Sequence, residues 1–103
     1  MDRPKPLDPV EAYEAIQRLL GLRDSLSFGG HCRRRMRERC FTVDDIHRVL
    51  TMGTVSSNPE WDNTYQNWKY RVSGRDCDNV PLVMIVALEP GLERITIITG
   101  IDD

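Results

Sequence analysis

The sequence predicts an α+β domain in which three N-terminal helices pack on a mostly antiparallel four-stranded sheet. Apolar residues recur at helical spacing up to about residue 52, and the pattern then changes to strand-like alternation. The chain has 103 residues, of which 40% are hydrophobic and 29% charged. This length and composition suit a single domain, residues 1–103, with one modest core.

The first predicted helix covers residues 8–21 and follows a proline-rich and charged segment, residues 1–7, that we expect to be a flexible lead. Asp8 is a favourable N-cap, Pro9 suits the first helical position, and Gly21 suits the C-terminal end. We expect this helix to serve packing. Its predicted apolar positions are Val10, Tyr13, Ile16, Leu19 and Leu20.

The second and third helices follow in quick succession. The second is predicted to begin after an N-cap at Ser27 and to run to about Cys40, with Gly29-Gly30 in its first turn. Glycine is unfavourable there, but it lets a ligand approach the helix N-terminus, whose free N–H groups favour an anion. The third helix begins at a capping-box pattern after Thr42 and ends near Gly53.

The second half of the chain is predicted to form the sheet. In the second predicted strand, alternation places Lys69 and Arg71 on one face and Trp68 and Tyr70 on the other. The third strand is almost entirely apolar, as expected for a strand buried on both faces. The predicted strands cover residues 54–57, 65–73, 80–88 and 93–101, with turns at 74–79 and 89–92.

Composition excludes several classes of protein. No apolar run approaches the roughly 18 residues that a transmembrane helix requires, and the N-terminus lacks the apolar stretch of a signal peptide. We therefore expect a cytoplasmic protein without membrane contact. The three cysteines are odd in number and show no CxxC spacing, so neither a disulfide framework nor a zinc site is predicted.

A basic stretch at residues 31–39 stands out on a chain whose net charge is −2. It holds five of the fourteen Lys and Arg residues and a single acid. Since side chains on a helix turn by about 100° per residue, His31, Arg35 and Arg39 form one row. A local basic row on an acidic protein suits a pocket for a phosphate-bearing ligand better than a broad DNA-coating surface.

The remaining side chains of this helix divide into two groups. Cys32, Met36 and Cys40 form a row that we expect to face the core, which leaves the His31 row at the border of the buried surface. The other arginines are expected to point outward, and a solvated helix face is the simpler explanation for them. These are Arg33, Arg34 and Arg37.

The residues of this row match the needs of metal-free RNA cleavage. In that reaction the ribose 2′-hydroxyl attacks its own phosphate, which requires a proton acceptor, a proton donor and cations. Histidine can move either proton near neutral pH, and arginine binds phosphate through paired hydrogen bonds. The chain lacks GxGxxG, GxxxxGK[ST], GxSxG and HExxH patterns, so no cofactor or metal is predicted.

A series of motifs resembles a known family. The most specific is the His-x-x-x-Arg-Met-x-Glu-Arg pattern of the basic stretch. The motifs are Ser27-Phe28-x-x-His31-Cys32-x-x-Arg35-Met36-x-Glu38-Arg39, Phe41-Thr42-x-Asp44-Asp45-Ile46, Gly53, Tyr70-Arg71-Val72-x-Gly74, Leu82-Val83-x-Ile85-Val86 and Ile97-Ile98-Thr99.

Through these motifs, residues 25–101 resemble the DUF4258 family. The resemblance implies a RelE/barnase-like fold, toxin endoribonuclease activity on RNA and a cognate antitoxin protein as partner. It assigns His31, Arg35 and Arg39 to the family's polar positions and Thr99 to a hydroxyl-bearing strand position. The chain departs from the family at Cys40, where a glycine is usual. Its N-terminal helix is an addition expected to cover a sheet face or mediate a homodimer.

The lead hypothesis is a small cytoplasmic hydrolase that cleaves RNA without a metal. His31 is predicted as general acid or base, and Arg35 and Arg39 as the phosphate-binding pair. The substrate-binding residues are predicted to be Lys69, Tyr70, Arg71 and Thr99. The alternative is a non-catalytic module of the same fold that docks an acidic protein partner or a nucleic acid through its arginine row.

Overall fold

A computed structural model describes residues 5–22, 26–39, 41–56, 58–63, 66–88 and 94–102; for His31 and residues 99–102 it describes the backbone only. These residues form three helices and six strands. The three predicted helices are present, and four of the strands correspond to the predicted ones at 54–57, 65–73, 80–88 and 93–101. The helices are α1 (Pro9–Leu20), α2 (Gly30–Arg39) and α3 (Val43–Met52). The strands are β1 (Leu26–Phe28), β2 (Thr54–Val55), β3 (Glu60–Asp62), β4 (Asn67–Arg75), β5 (Pro81–Leu88) and β6 (Ile95–Asp102).

The predicted start of α1 is confirmed by its capping hydrogen bonds. The Asp8 carboxylate accepts the Glu11 N–H at 2.8 Å, and the Glu11 carboxylate accepts the Asp8 N–H at 3.2 Å. The predicted apolar face is only partly correct, because Val10 is 68% exposed and Tyr13 is also exposed. Small residues take their place against the core. The buried side chains of α1 are Ala12, Ala15, Ile16 and Leu19.

The chain enters α2 from a strand, and the predicted N-cap at Ser27 is wrong. Ser27 lies in β1, which pairs in parallel with β6. The Gly29 N–H continues this ladder to the Ile97 carbonyl at 3.0 Å. The Gly29 carbonyl in turn accepts the Arg33 N–H at 3.1 Å, so Gly29 holds the N-cap position. The start of α2 is therefore fixed directly by the edge of the sheet.

The predicted four-stranded, mostly antiparallel sheet is wrong, because the structure has a six-stranded mixed sheet. The strand order is β1-β6-β5-β4-β2, and β3 pairs with β4 beside β2. The β1–β6 pair is parallel and the other pairs are antiparallel. The two missed strands, β1 and β3, have three residues each, too few for alternation to be visible in sequence. The predicted turn at 89–92 lies outside the described residues.

All three helices pack on the same face of the sheet. On β4, Trp68, Tyr70 and Val72 point toward them, and their cross-strand partners on β5 share that face. One hydrophobic cluster joins this face to the buried sides of the helices. The predicted division of β4 into an apolar and a polar face is therefore confirmed. None of the described helices, the longest of which has 12 residues, is long and apolar enough to span a membrane.

Tyr70 connects the core to the segment that precedes α1. Its ring is 2% exposed, and its hydroxyl donates to the Leu7 carbonyl at 2.8 Å and accepts the Leu7 N–H at 3.0 Å. Burial raises the pKa of Tyr70, so the phenol is neutral at physiological pH. The hydroxyl thereby satisfies both polar groups of one backbone residue.

Asp45 performs a similar task at the start of α3. Its carboxylate accepts hydrogen bonds from the N–H of Thr42 at 2.8 Å, from the Thr42 hydroxyl at 3.1 Å and from the N–H of Cys77 at 2.9 Å. Burial acts to raise the pKa of Asp45, but these hydrogen bonds outweigh it and hold the pKa below its usual value. One carboxylate thus joins the cap of α3 to the β4–β5 loop.

We expect Asp45→Asn to lower the free energy of unfolding by about 1–3 kcal/mol at neutral pH, because an amide accepts hydrogen bonds less strongly than a carboxylate. The lowered pKa means that the carboxylate's contribution is present above its unfolded pKa, about 3.9, and is lost as pH falls through the folded value. Urea unfolding at about pH 7 and pH 3 measures both effects.

The exposed neighbour Asp44 on the same helix turn provides the matched control. Asp44→Asn loses only an interaction with the helix dipole, so its effect should stay within about 1 kcal/mol. An Asp45→Asn deficit of equal size at both pH values would contradict the assigned role of the Asp45 carboxylate.

Candidate functional site

The strongest concentration of charge in the described chain lies on α2. This helix of ten residues carries five arginines, one glutamate and no acid in its first turn. Arg37 and Arg39 lie in its last turn, where a cation is favoured by the helix dipole. The dipole accounts for part of this pattern, but it gives no reason for Arg33, Arg34 and Arg35 nearer the N-terminus.

The row predicted to face the core does so as far as the structure describes it. Cys32 is 0% exposed, and the half-buried Met36 packs against the hydrophobic cluster. Cys40 lies outside the described residues. Burial raises the pKa of Cys32 to about 11, so its thiol stays protonated and has no role as a nucleophile.

The predicted catalytic row lies on one side of this buried row. Arg35 is half-buried and Arg39 is exposed, and each already interacts with another group of the protein. The backbone of His31 is the second residue of α2, one turn before Arg35, and its side chain lies outside what the structure describes. The helix therefore provides the predicted spacing of the three residues, while the contact between them remains a prediction.

A groove runs along the other side of the buried row. It has a volume of about 710 Å³ and is bounded by the end of β1, by α2 and by the first residue of α3. Arg33 and Arg37, which were expected to point outward, line this groove. The complete lining is Phe28, Gly30, Arg33, Met36, Arg37 and Val43.

The predicted strand residues lie in a different part of the molecule. Lys69 and Arg71 lie on the sheet face away from the helices, and Thr99 is in register with Ile85, the cross-strand partner of Arg71. Lys69 forms an ion pair with Asp62 at 3.7 Å. The sheet therefore separates Lys69 and Arg71 from the α2 row, so one compact site does not include both groups.

Tyr70 is not available to a ligand. It faces the core, and its hydroxyl is occupied by the backbone of Leu7. The candidate site therefore consists of α2 and its adjacent groove.

The sequence-based reasoning missed Phe28 and Val43 as parts of this site, although it had noted that Gly29-Gly30 leaves room for a ligand. The same helical rotation that grouped His31 with Arg35 also places Arg33 and Arg37 together, on the opposite side of Cys32. This pairing of Arg33 with Arg37, with Phe28 two positions before the helix, is the sequence feature from which the groove could have been predicted.

The chemistry that α2 offers is recognition of anions. Guanidinium groups bind phosphate or carboxylate through planar, paired hydrogen bonds, and they keep their charge at all physiological pH values. Within the part of the chain that the structure describes, no three His, Cys, Asp or Glu side chains are grouped so that they could hold a metal ion.

Comparison with protein families gives one match. The model of the family described as "Domain of unknown function (DUF4258)" matches residues 28–100, which run from the end of β1 through α2 and α3 to β6. No curated protein and no solved structure matches the chain. The RelE-like description remains a prediction, and α1 precedes the matched residues. Since the match covers more than half of the sequence, the chain belongs to the DUF4258 family.

Proposed function

We propose that this protein is a small cytoplasmic endoribonuclease of the toxin type that binds RNA along α2 and cleaves it without a metal. The observation that carries the proposal is the density of arginine on one short helix, with an apolar groove beside it. RNA presents the matching chemistry, since every nucleotide combines a phosphate with a flat base whose face can stack on apolar side chains. A toxin of this type also implies an antitoxin protein as its partner.

The proposed reaction is an internal transfer of the phosphodiester. The 2′-hydroxyl loses its proton and its oxygen bonds to phosphorus, the bond from phosphorus to the 5′-oxygen breaks, and that oxygen takes up a proton. The products are a 2′,3′-cyclic phosphate and a 5′-hydroxyl. His31 moves one of these protons, and Arg35 and Arg39 stabilise the added charge on the phosphate.

The groove arginines and the predicted strand residues take supporting roles in this proposal. Arg33 and Arg37 lie on the groove side of α2 and bind the neighbouring part of the RNA. Lys69 and Arg71 lie across the sheet, so they meet a different stretch of a longer RNA and take no part in the chemical step.

The direct test is incubation of the purified protein with total RNA in the presence of a chelator. We expect fragments that end in a 2′,3′-cyclic phosphate, and we expect Arg35→Gln to produce far fewer of them. Arg18→Gln is the matched control, because Arg18 is an exposed arginine on α1, away from the groove. Intact RNA with the wild-type protein would contradict the proposal.

A second candidate function is RNA binding without turnover. It is favoured by the position of the groove, which lies on the opposite side of the Cys32 row from His31. Retention of RNA by the wild-type protein in a gel-shift experiment, without the appearance of fragments, would favour this function over catalysis.

A further inference from the structure

The groove beside α2 has the size and lining of a small ligand site. Its volume of about 710 Å³ lies within the range of pockets that hold small ligands, about 300–1,000 Å³. Phe28, Met36 and Val43 supply apolar surface, and both Phe28 and Met36 also contact the hydrophobic core. The apolar floor of the groove is therefore held in place by packing against the hydrophobic core.

The charges around this apolar surface are of one sign. Arg33 and Arg37 are one helical turn apart, and the lining contains no acidic residue. The Nε of Arg33 donates to the backbone carbonyl of Phe28 at 3.5 Å, which ties this guanidinium to the end of β1. Arg37 forms no ion pair with any described residue. The groove therefore complements an anion that is attached to a flat apolar group.

We propose that this groove binds one nucleotide of single-stranded RNA, with the base against Phe28 and Met36 and an adjoining phosphate on Arg33 and Arg37. The inference rests on the proposed function only in taking RNA as the ligand. An acidic peptide fits less well, because acidic side chains match the two arginines but offer no flat group to the apolar surface of Phe28, Met36 and Val43. A base needs only an apolar surface for stacking.

Gly30 lines the groove and is a position at which a side chain can be added to narrow it. A Cβ atom built on Gly30 has no neighbour within 4 Å, and no described glycine has a positive φ. A side chain can therefore be introduced without backbone strain, and both alanine and leucine favour helix more than glycine does. Gly30→Leu adds a large side chain to the wall of the groove and narrows it, while Gly30→Ala leaves most of it open and is the matched control.

The test compares two ligands by fluorescence anisotropy. One is a 2′-O-methyl oligouridine, which lacks the attacking hydroxyl, and the other is an abasic oligomer with the same backbone. We expect the wild-type protein and Gly30→Ala to prefer the base-bearing oligomer by about 5- to 100-fold, as stacking of a base predicts. We expect Gly30→Leu to lose this preference. Arg33→Gln should weaken the binding of both oligomers by the same factor.

Equal binding of the two oligomers by the wild-type protein would overturn the inference, as would an unchanged preference in Gly30→Leu. Binding of a polyglutamate peptide that is tighter than binding of RNA, and is lost in Gly30→Leu, would assign the groove to an acidic protein partner instead. Because these oligomers cannot be cleaved, failure of the proposed nuclease activity would leave the affinity comparison unaffected.

Discussion

Replacing His31 by alanine is expected to reduce RNA cleavage by at least about 100-fold, because a positioned acid or base contributes roughly 10²- to 10⁴-fold. Folding should be nearly unchanged, since α2 is held to the core by Cys32 and Met36. The measurement is the rate at which 2′,3′-cyclic phosphate ends appear, together with a urea unfolding curve for each variant.

The chain contains a matched histidine for this experiment. His47 lies on the exposed face of α3, where its Nδ1 is 3.4 Å from the Thr51 hydroxyl. His47→Ala should cleave RNA at the wild-type rate and keep the same dependence on pH. A His31→Ala protein that folds and cleaves as fast as the wild type would remove His31 from the mechanism.

Replacing Gly53 by alanine is expected to lower the free energy of unfolding by about 3 kcal/mol, the upper end of the usual cost of overpacking. The backbone of Gly53, with φ −84° and ψ −174°, is accessible to any residue. The obstacle is space, because a Cβ atom would lie 2.5 Å from the carbonyl oxygens of both Val49 and Ser73. Backbone atoms in a helix and a central strand cannot move aside easily.

Gly21 offers the comparison for this substitution. It also follows a helix, but a Cβ atom there would meet only the Arg18 carbonyl, at an ordinary distance of 3.4 Å. Gly21→Ala should therefore change the urea midpoint little. If the midpoints of Gly53→Ala and Gly21→Ala were the same, the close approach of α3 to β4 would not be the reason for glycine at position 53.

The parts of the fold that could be predicted are those in which local chemistry and the final structure agree. The helix starts at Asp8 and Thr42 follow from hydrogen bonds between residues three positions apart, which a sequence displays directly. β1 and β3 depend on pairing with residues far away in sequence. Leu26–Phe28 reads as the approach to a helix, and only β6 makes it a strand.

The candidate site shows the same limit. The rotation of α2 correctly placed Cys32 and Met36 toward the core, because a helix has a fixed period. Alternation in β4 correctly separated Lys69 from Tyr70, but it did not show which face the helices would cover. That choice is made by the topology, and it put Lys69 and Arg71 on the side of the sheet away from α2.

The parallel pairing of β1 with β6 also sets the order in which the basic helix acquires its support. Leu26 and Ile95 are register partners 69 positions apart in the sequence, so a long loop must close before these two strands meet. Closing so long a loop is slow compared with forming a local helix turn, and α2 packs chiefly on β6. Until β6 has been synthesised, α2 lacks the strand on which it chiefly packs. Residues 95–102 therefore complete the support of the basic helix.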